Sequence, residues 1–199
     1  MPEMVFEYIL KNNGIDPAAD LEIDQSIDFG STAAAFTGDA SAAFTVEFEP
    51  SATALEKEGA GYVVASLGVD SGYVPYTSYS AKTSFLNENP QVIQSFTTAL
   101  QKGMDYVQSH TPEEIAQVIA PQFPETDLDT LTIIVTRYYE QDTWKDNFVI
   151  HGFADVVIEG LLQDRPELLQ DILESAGELS ERVDYEQLVT TEFAKSAVK

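Results

Sequence analysis

The sequence predicts an α/β region followed by an almost entirely helical one, and three features carry the prediction. Short alternating segments interleave with helix-like segments over roughly residues 1 to 70, the pattern of βαβ units and a parallel sheet. A long amphipathic stripe begins after Asn89, and most of the chain beyond it keeps a helical period. With 199 residues, 44% of them hydrophobic, the chain is long enough to bury a core in one domain or two small lobes.

Each element can be justified from its own residues. MPEMVFEYILKNNG sets Met4, Val5, Tyr8 and Ile9 on one stripe, with Pro2 suited to a first turn and Gly14 to the stop. LEIDQSI alternates as a short strand, and STAAAFTG reads as a helix closed by Gly38. FTVEFEP is the second strand, in which Phe44, Val46 and Phe48 point one way and Thr45, Glu47 and Glu49 the other. PSATALEKEG is a helix ended by Gly59, and AGYVVASLG gives the third strand. Beyond SGYVPYTSYSAKTSF, the run NPQVIQSFTTALQKGMDYVQSH has Asn89 as cap and Pro90 in the first turn. Val92, Phe96, Leu100, Met104 and Val107 line one face of that helix. Thr111, Pro112 and Glu114 make a capping-box start, and LDTLTIIVTRYYEQ and the segment from Phe153 to Ala176 continue helical.

Composition narrows the function. Thirty-four acids against ten Lys and Arg give a formal net charge of −24, which repels nucleic acid and anionic lipid. The absence of Cys removes disulfides, thiolate metal sites and cysteine nucleophiles. No window approaches a membrane-spanning stretch, and the opening residues lack the basic start and small-residue cleavage site of a secretory signal.

Signatures of catalysis are mostly missing: there is no Walker loop, GxGxxG, GxSxG, HExxH or EF-hand loop. His110 and His151 are far apart in sequence, and His110 falls where a helix ends, which suits a dipole contact or solvent exposure better than a metal or catalytic role. Glu47 and Glu49 form a row of acids at a strand end. Ligand contact and a solvated edge both fit them, since ligands of α/β sheets bind at the carboxyl ends of strands. Without a nucleophile or partner His, acid–base catalysis fits them poorly. SGYVPYTSY packs three tyrosines between the α/β and helical regions, as an aromatic crossing that lines a small-molecule site or as a packed linker. Trp144, alone among polar residues, reads as partial core.

These segments also carry a family likeness. YILKNNGIDPAADLEID, IDFGSTAAAFTGD, VEFEPSATALEKEGAGYVVASLG, GYVPYTSYSAKTSFLNENPQVIQSFTTALQKGMDYVQSHTPEEIA and DTWKD, in this order, resemble ABC-transporter solute-binding proteins. The branch is that of thiamine-pyrimidine-precursor, taurine and alkanesulfonate binders, the thiamine-pyrimidine-synthase-like domain. The likeness runs from Met1 to about Phe148, fades over 149–172 and returns in ILESAGELSERVDYEQLVTTEF.

The resemblance implies a type II periplasmic-binding-protein-like α/β fold, two lobes with a ligand in the cleft between them. It assigns residues 1–74 to most of the second lobe without its first strand, 75–88 to the interlobe crossing and 89–199 to the C-terminal helices of the first lobe. Such a protein begins with a lipoprotein signal and a first-lobe sheet, so the resemblance implies an N-terminally truncated chain. Matched residue by residue, Pro2, Glu3 and Met4 would line a helix N-terminus facing the ligand, Glu49 would be the acid of an aromatic–acid–proline corner, and Ser26, Phe48, Tyr73 and Tyr76 would complete the wall.

The expected activity is capture of a small solute, preferably a donor-rich heteroaromatic such as a thiamine pyrimidine precursor, and its delivery to an ABC permease in the membrane. Neither catalysis nor a cofactor is expected. The setting is extracellular or periplasmic, with a lipoprotein tether on the full-length protein. Taurine, alkanesulfonate, nitrate and riboflavin-like solutes are alternatives. So is a pyridoxal-phosphate-dependent pyrimidine synthase, which would need a lysine, a histidine and a cysteine-rich motif. A truncated chain is also expected to leave the stripe from Val92 to Val107 uncovered, favouring self-association or partial order and weak binding.

Overall fold

The computed structural model describes residues 2–72, 79–141, 167–184, 187, 190 and 192–197. Tyr73, Tyr76, Trp144, His151 and most of the segment 149–172 lie outside the described residues. The chain divides into two compact units, one of Met1–Ser71 with Pro112–Arg137 and one of Gly72–Thr111 with Tyr138–Lys199.

In the first unit, α1 (Pro2–Asn12) starts on proline, carries Glu3 in its first turn and Lys11 in its last, and buries Val5. Gly14 stops it at φ +77, a conformation that suits a residue without Cβ. The short α2 (Pro17–Asp20) is capped by Asp16, whose side chain accepts from the Ala18 N–H. A 3₁₀ turn (Phe29–Ser31) leads into α3 (Thr32–Gly38), and α4 (Ser51–Lys57) buries Thr53 and Leu55. Next comes α5 (Leu67–Asp70), capped by Ser66. α1 packs against α2 and α5, and α3 against α4. α8 (Pro112–Ile119) contributes Ile115 and Ala116 to the core, and α9 (Leu128–Glu140) contributes Thr130, Leu131, Ile134 and Val135, an i, i+1, i+4, i+5 stripe.

The stretches that alternation marks as strands, 21–27, 44–50 and 60–68, form no strand among the described residues, and the last of them runs into α5. Alternation prepares a strand, but only a hydrogen-bonded neighbour makes one. Side-chain exposure agrees: Tyr62 and Val64 are 86% and 84% exposed and Phe44 is 71% exposed. The expected alternation in 44–49 does not hold, because Phe44 and Phe48 are exposed while Thr45, Val46, Glu47 and Glu49 are half-buried.

The second unit holds α6 (Thr83–Glu88), α7 (Pro90–Ser109), the last residues of α9, α10 (Leu168–Ser175) and α11 (Glu192–Ala197). α7 packs on α6 and on α11, where the Gln94 side chain donates to the Phe193 carbonyl at 3.0 Å. Its buried face is Thr97, Gln101 and Met104; of the expected stripe Met104 is buried, Leu100 and Val107 are half-buried, and Val92 and Phe96 are exposed. α10 buries Leu168 and Ile172 almost completely.

Candidate functional site

The first unit brings several of the expected residues into one chain of contacts. α1 opens on Pro2, which has no N–H, so Glu3 and Met4 supply the free amides of that helix start. The Glu3 carboxylate accepts a hydrogen bond from the Gln25 side chain, which ties the start of α1 to the turn around residue 25. In that turn Ser26 is held by Asp24: its N–H and its hydroxyl donate to Asp24 Oδ1 at 2.8 and 2.6 Å. The Ser26 hydroxyl, then its N–H, hold the Asp24 carboxyl below its usual range. Three residues on, Phe29 meets Phe48 edge to face with ring centroids 5.1 Å apart. That contact joins the turn to the corner before α4, and both rings keep exposed surface.

At the corner, Glu49 is already engaged. Its Oε2 accepts from the Thr53 N–H and its Oε1 from the Thr53 hydroxyl, both at 3.0 Å, so it caps the first turn of α4. Oε1 also accepts from Arg137 Nη1 on α9 at 2.7 Å, with the Glu49 side chain 13% and the Arg137 side chain 20% exposed. Arg137 Nη2 donates to Glu56, and Nη1 reaches the Thr53 hydroxyl at 3.1 Å. The other oxygen of Glu56 accepts from the Val63 N–H at 2.8 Å. That N–H, followed by Arg137, lowers the Glu56 carboxyl against the opposing effect of burial; burial also opposes the charged form of Arg137, and the two acids together outweigh it and raise the guanidinium. Glu47 accepts from the Thr45 hydroxyl at 2.9 Å.

Pro2, Glu3, Met4, Ser26, Phe48 and Glu49 thus all belong to the first unit, and contacts through Gln25 and Phe29 link them. Tyr73 and Tyr76 lie outside the described residues. Reading by sequence missed Gln25, Phe29, Thr53 and above all Arg137, the partner of two acids. In the second unit, His110 sits at the C-terminal end of α7 with Nδ1 2.8 Å from the Tyr106 carbonyl, the helix-end contact its position suggested, and its ring stacks on Tyr106. Tyr139 closes the same helix end by donating its hydroxyl to the carbonyls of Val107 and His110. An open groove on α7 is lined by Gln91, Gln94, Ser95, Thr98, Ala99 and Lys102, none of them an expected site residue. Among the described residues no cluster of His, Cys, Asp and Glu could hold a metal ion, and no helix is long and apolar enough to cross a membrane.

Residues 1–120 match the NMT1-like family. Over 196 residues the chain is 37% identical to YtlA of Bacillus subtilis (strain 168), which carries a provisional name as a binding protein. The match covers 98% of this chain and 55% of YtlA, so the chain spans about half of that relative's length. No solved structure gives a significant match.

Proposed function

The chain belongs to the NMT1-like family, and on that premise we propose that it supplies ligand-contacting residues of a solute-binding protein serving an ABC importer. The solute is a small polar heteroaromatic such as a thiamine pyrimidine precursor, held in the cleft of a type II periplasmic-binding-protein-like fold and handed to a membrane permease without chemical change. The protein works outside the cytoplasmic membrane, tethered as a lipoprotein.

The observation that carries this reading is the convergence in one unit of a helix start, an Asp24–Ser26 turn, exposed aromatic rings and the Glu49 corner. Carboxylates and exposed rings suit a flat ligand rich in N–H donors. A sulfonate would require a free cation, and Arg137 is already shared by two carboxylates.

Titration calorimetry of the chain with a series of aminopyrimidines, repeated with Glu49→Gln, tests the proposal. Saturable binding that the substitution weakens by about 1.5 to 3 kcal/mol, the range for a hydrogen bond to a charged group, supports it. Equal affinity of both proteins for the best ligand removes Glu49 from the site.

A further inference from the structure

We infer that Arg137 is the positioning residue of this site, acting through Glu49 rather than on the ligand. The inference rests on the reading of Glu49 as the acid that faces the solute. Glu49, Thr53 and Glu56 succeed one another at spacings of four and three, which stacks them on one side of α4 and its first turn. Two carboxylates on one face repel, and free side chains would swing apart into water. The guanidinium prevents this by meeting both with its two nitrogens and taking the Thr53 hydroxyl as a third acceptor.

Each acid is also held by a backbone amide, Thr53 N–H for Glu49 and Val63 N–H for Glu56, so the fork closes a network with little freedom left. Lys57, the cation nearest in sequence, cannot take over, because its ammonium is spent on Asp127 at 3.2 Å and the Thr130 hydroxyl at 2.6 Å. A lysine at 137 could neutralise charge but could not span two carboxylates in one plane. Arg137 therefore fixes the direction in which Glu49 presents its one remaining lone pair, on Oε2, and with it the geometry a donor must satisfy.

The test compares the chain with Arg137→Met and Arg137→Lys, using glutamate labelled at the side-chain carboxyl for NMR and 4-aminopyrimidine as the probe. Arg137→Met should move the Glu56 titration midpoint upward, only part of the way because the Val63 N–H remains, and displace the Glu49 carboxyl signal. It should weaken probe binding by about tenfold or more. Arg137→Lys should recover only part of each change, which loss of packing alone does not explain. If Arg137→Met unfolds the chain, Glu56→Gln and Arg137→Lys give the same comparison with one partner retained. A folded Arg137→Met chain with unchanged carboxyl signals and unchanged probe affinity overturns the inference. If the unsubstituted chain does not bind the probe, it is the solute-binding reading that fails, and the carboxyl signals still decide whether Arg137 positions Glu49.

Discussion

At Asp127, the residue just before α9, one carboxylate shows how local hydrogen bonds set a charge state. It accepts from the Thr130 hydroxyl at 2.6 Å and from the Thr130 N–H at 2.9 Å, and these, with Lys57 adding to them, lower its carboxyl from 3.8 to about 2. A depressed carboxylate stabilises the fold at all pH values above its unfolded value, and that contribution fades as pH falls from about 4 through about 2. NMR titration of the Asp127 carboxyl should give a midpoint near 2, with the Thr130 amide shift tracking it; a midpoint near 4 would mean that the cap is not formed in solution. Arg137, which reading by sequence missed, has a signal that could have found it. It continues the buried 130–134 stripe of α9 at i+7, and a cation on an inward face of a chain with 34 acids needs carboxylate partners. The Glu49–Thr53–Glu56 spacing offers them, but one sequence does not say which helix meets which.

Among the elements, helices declare themselves because their signals are local. Pro2, Pro90, Gly14 and Gly59 mark helix boundaries in the sequence and stand at them in the structure. Which face of α7 is buried is less local. Counting apolar residues favours the stripe Val92, Phe96, Leu100, Met104 and Val107, of which the helix buries Met104 and leaves Val92 and Phe96 exposed, while Thr97 and Gln101 are buried beside it. Thr97 donates to the Ile93 carbonyl at 2.9 Å and the Gln101 amide nitrogen to Asp105 at 2.9 Å, bonds within the helix that a hydrophobicity count cannot see, while the buried Gln101 Oε1 has no hydrogen-bond partner among the described residues. In urea unfolding, Met104→Ala should therefore cost about 2 to 5 kcal/mol, and Val92→Ala no more than about 0.5 kcal/mol. Equal losses would restore the apolar stripe as the packed face. The stretches marked as strands are the hardest case: Tyr62, Val64 and Phe44 have the alternation of a sheet, but pairing is non-local, and no strand forms among the described residues.

For the whole molecule, family membership rests on the match over residues 1–120 and on a relative aligned across 98% of this chain, while the chain spans 55% of that relative. The net charge of −24 agrees with a partner that is neither nucleic acid nor anionic lipid. Of the expected site, Glu49 was readable as an acid at the end of an alternating run, and Ser26 and Phe48 only through the family resemblance. Their connection through Gln25, Phe29 and Arg137 was not, since it depends on tertiary contacts across tens of residues. The proposed solute contact runs through the α1 start and the Phe48–Glu49 corner, with a small heteroaromatic as the ligand. Because a weak, millimolar complex corresponds to only about 4 kcal/mol, chemical-shift mapping of the labelled chain with 4-aminopyrimidine is the most direct measurement. Saturable shifts grouped on Glu3, Met4, Ser26, Phe48 and Glu49 are the predicted result, and an absence of saturable shifts, or shifts confined to the α7 groove from Gln91 to Lys102, would contradict it.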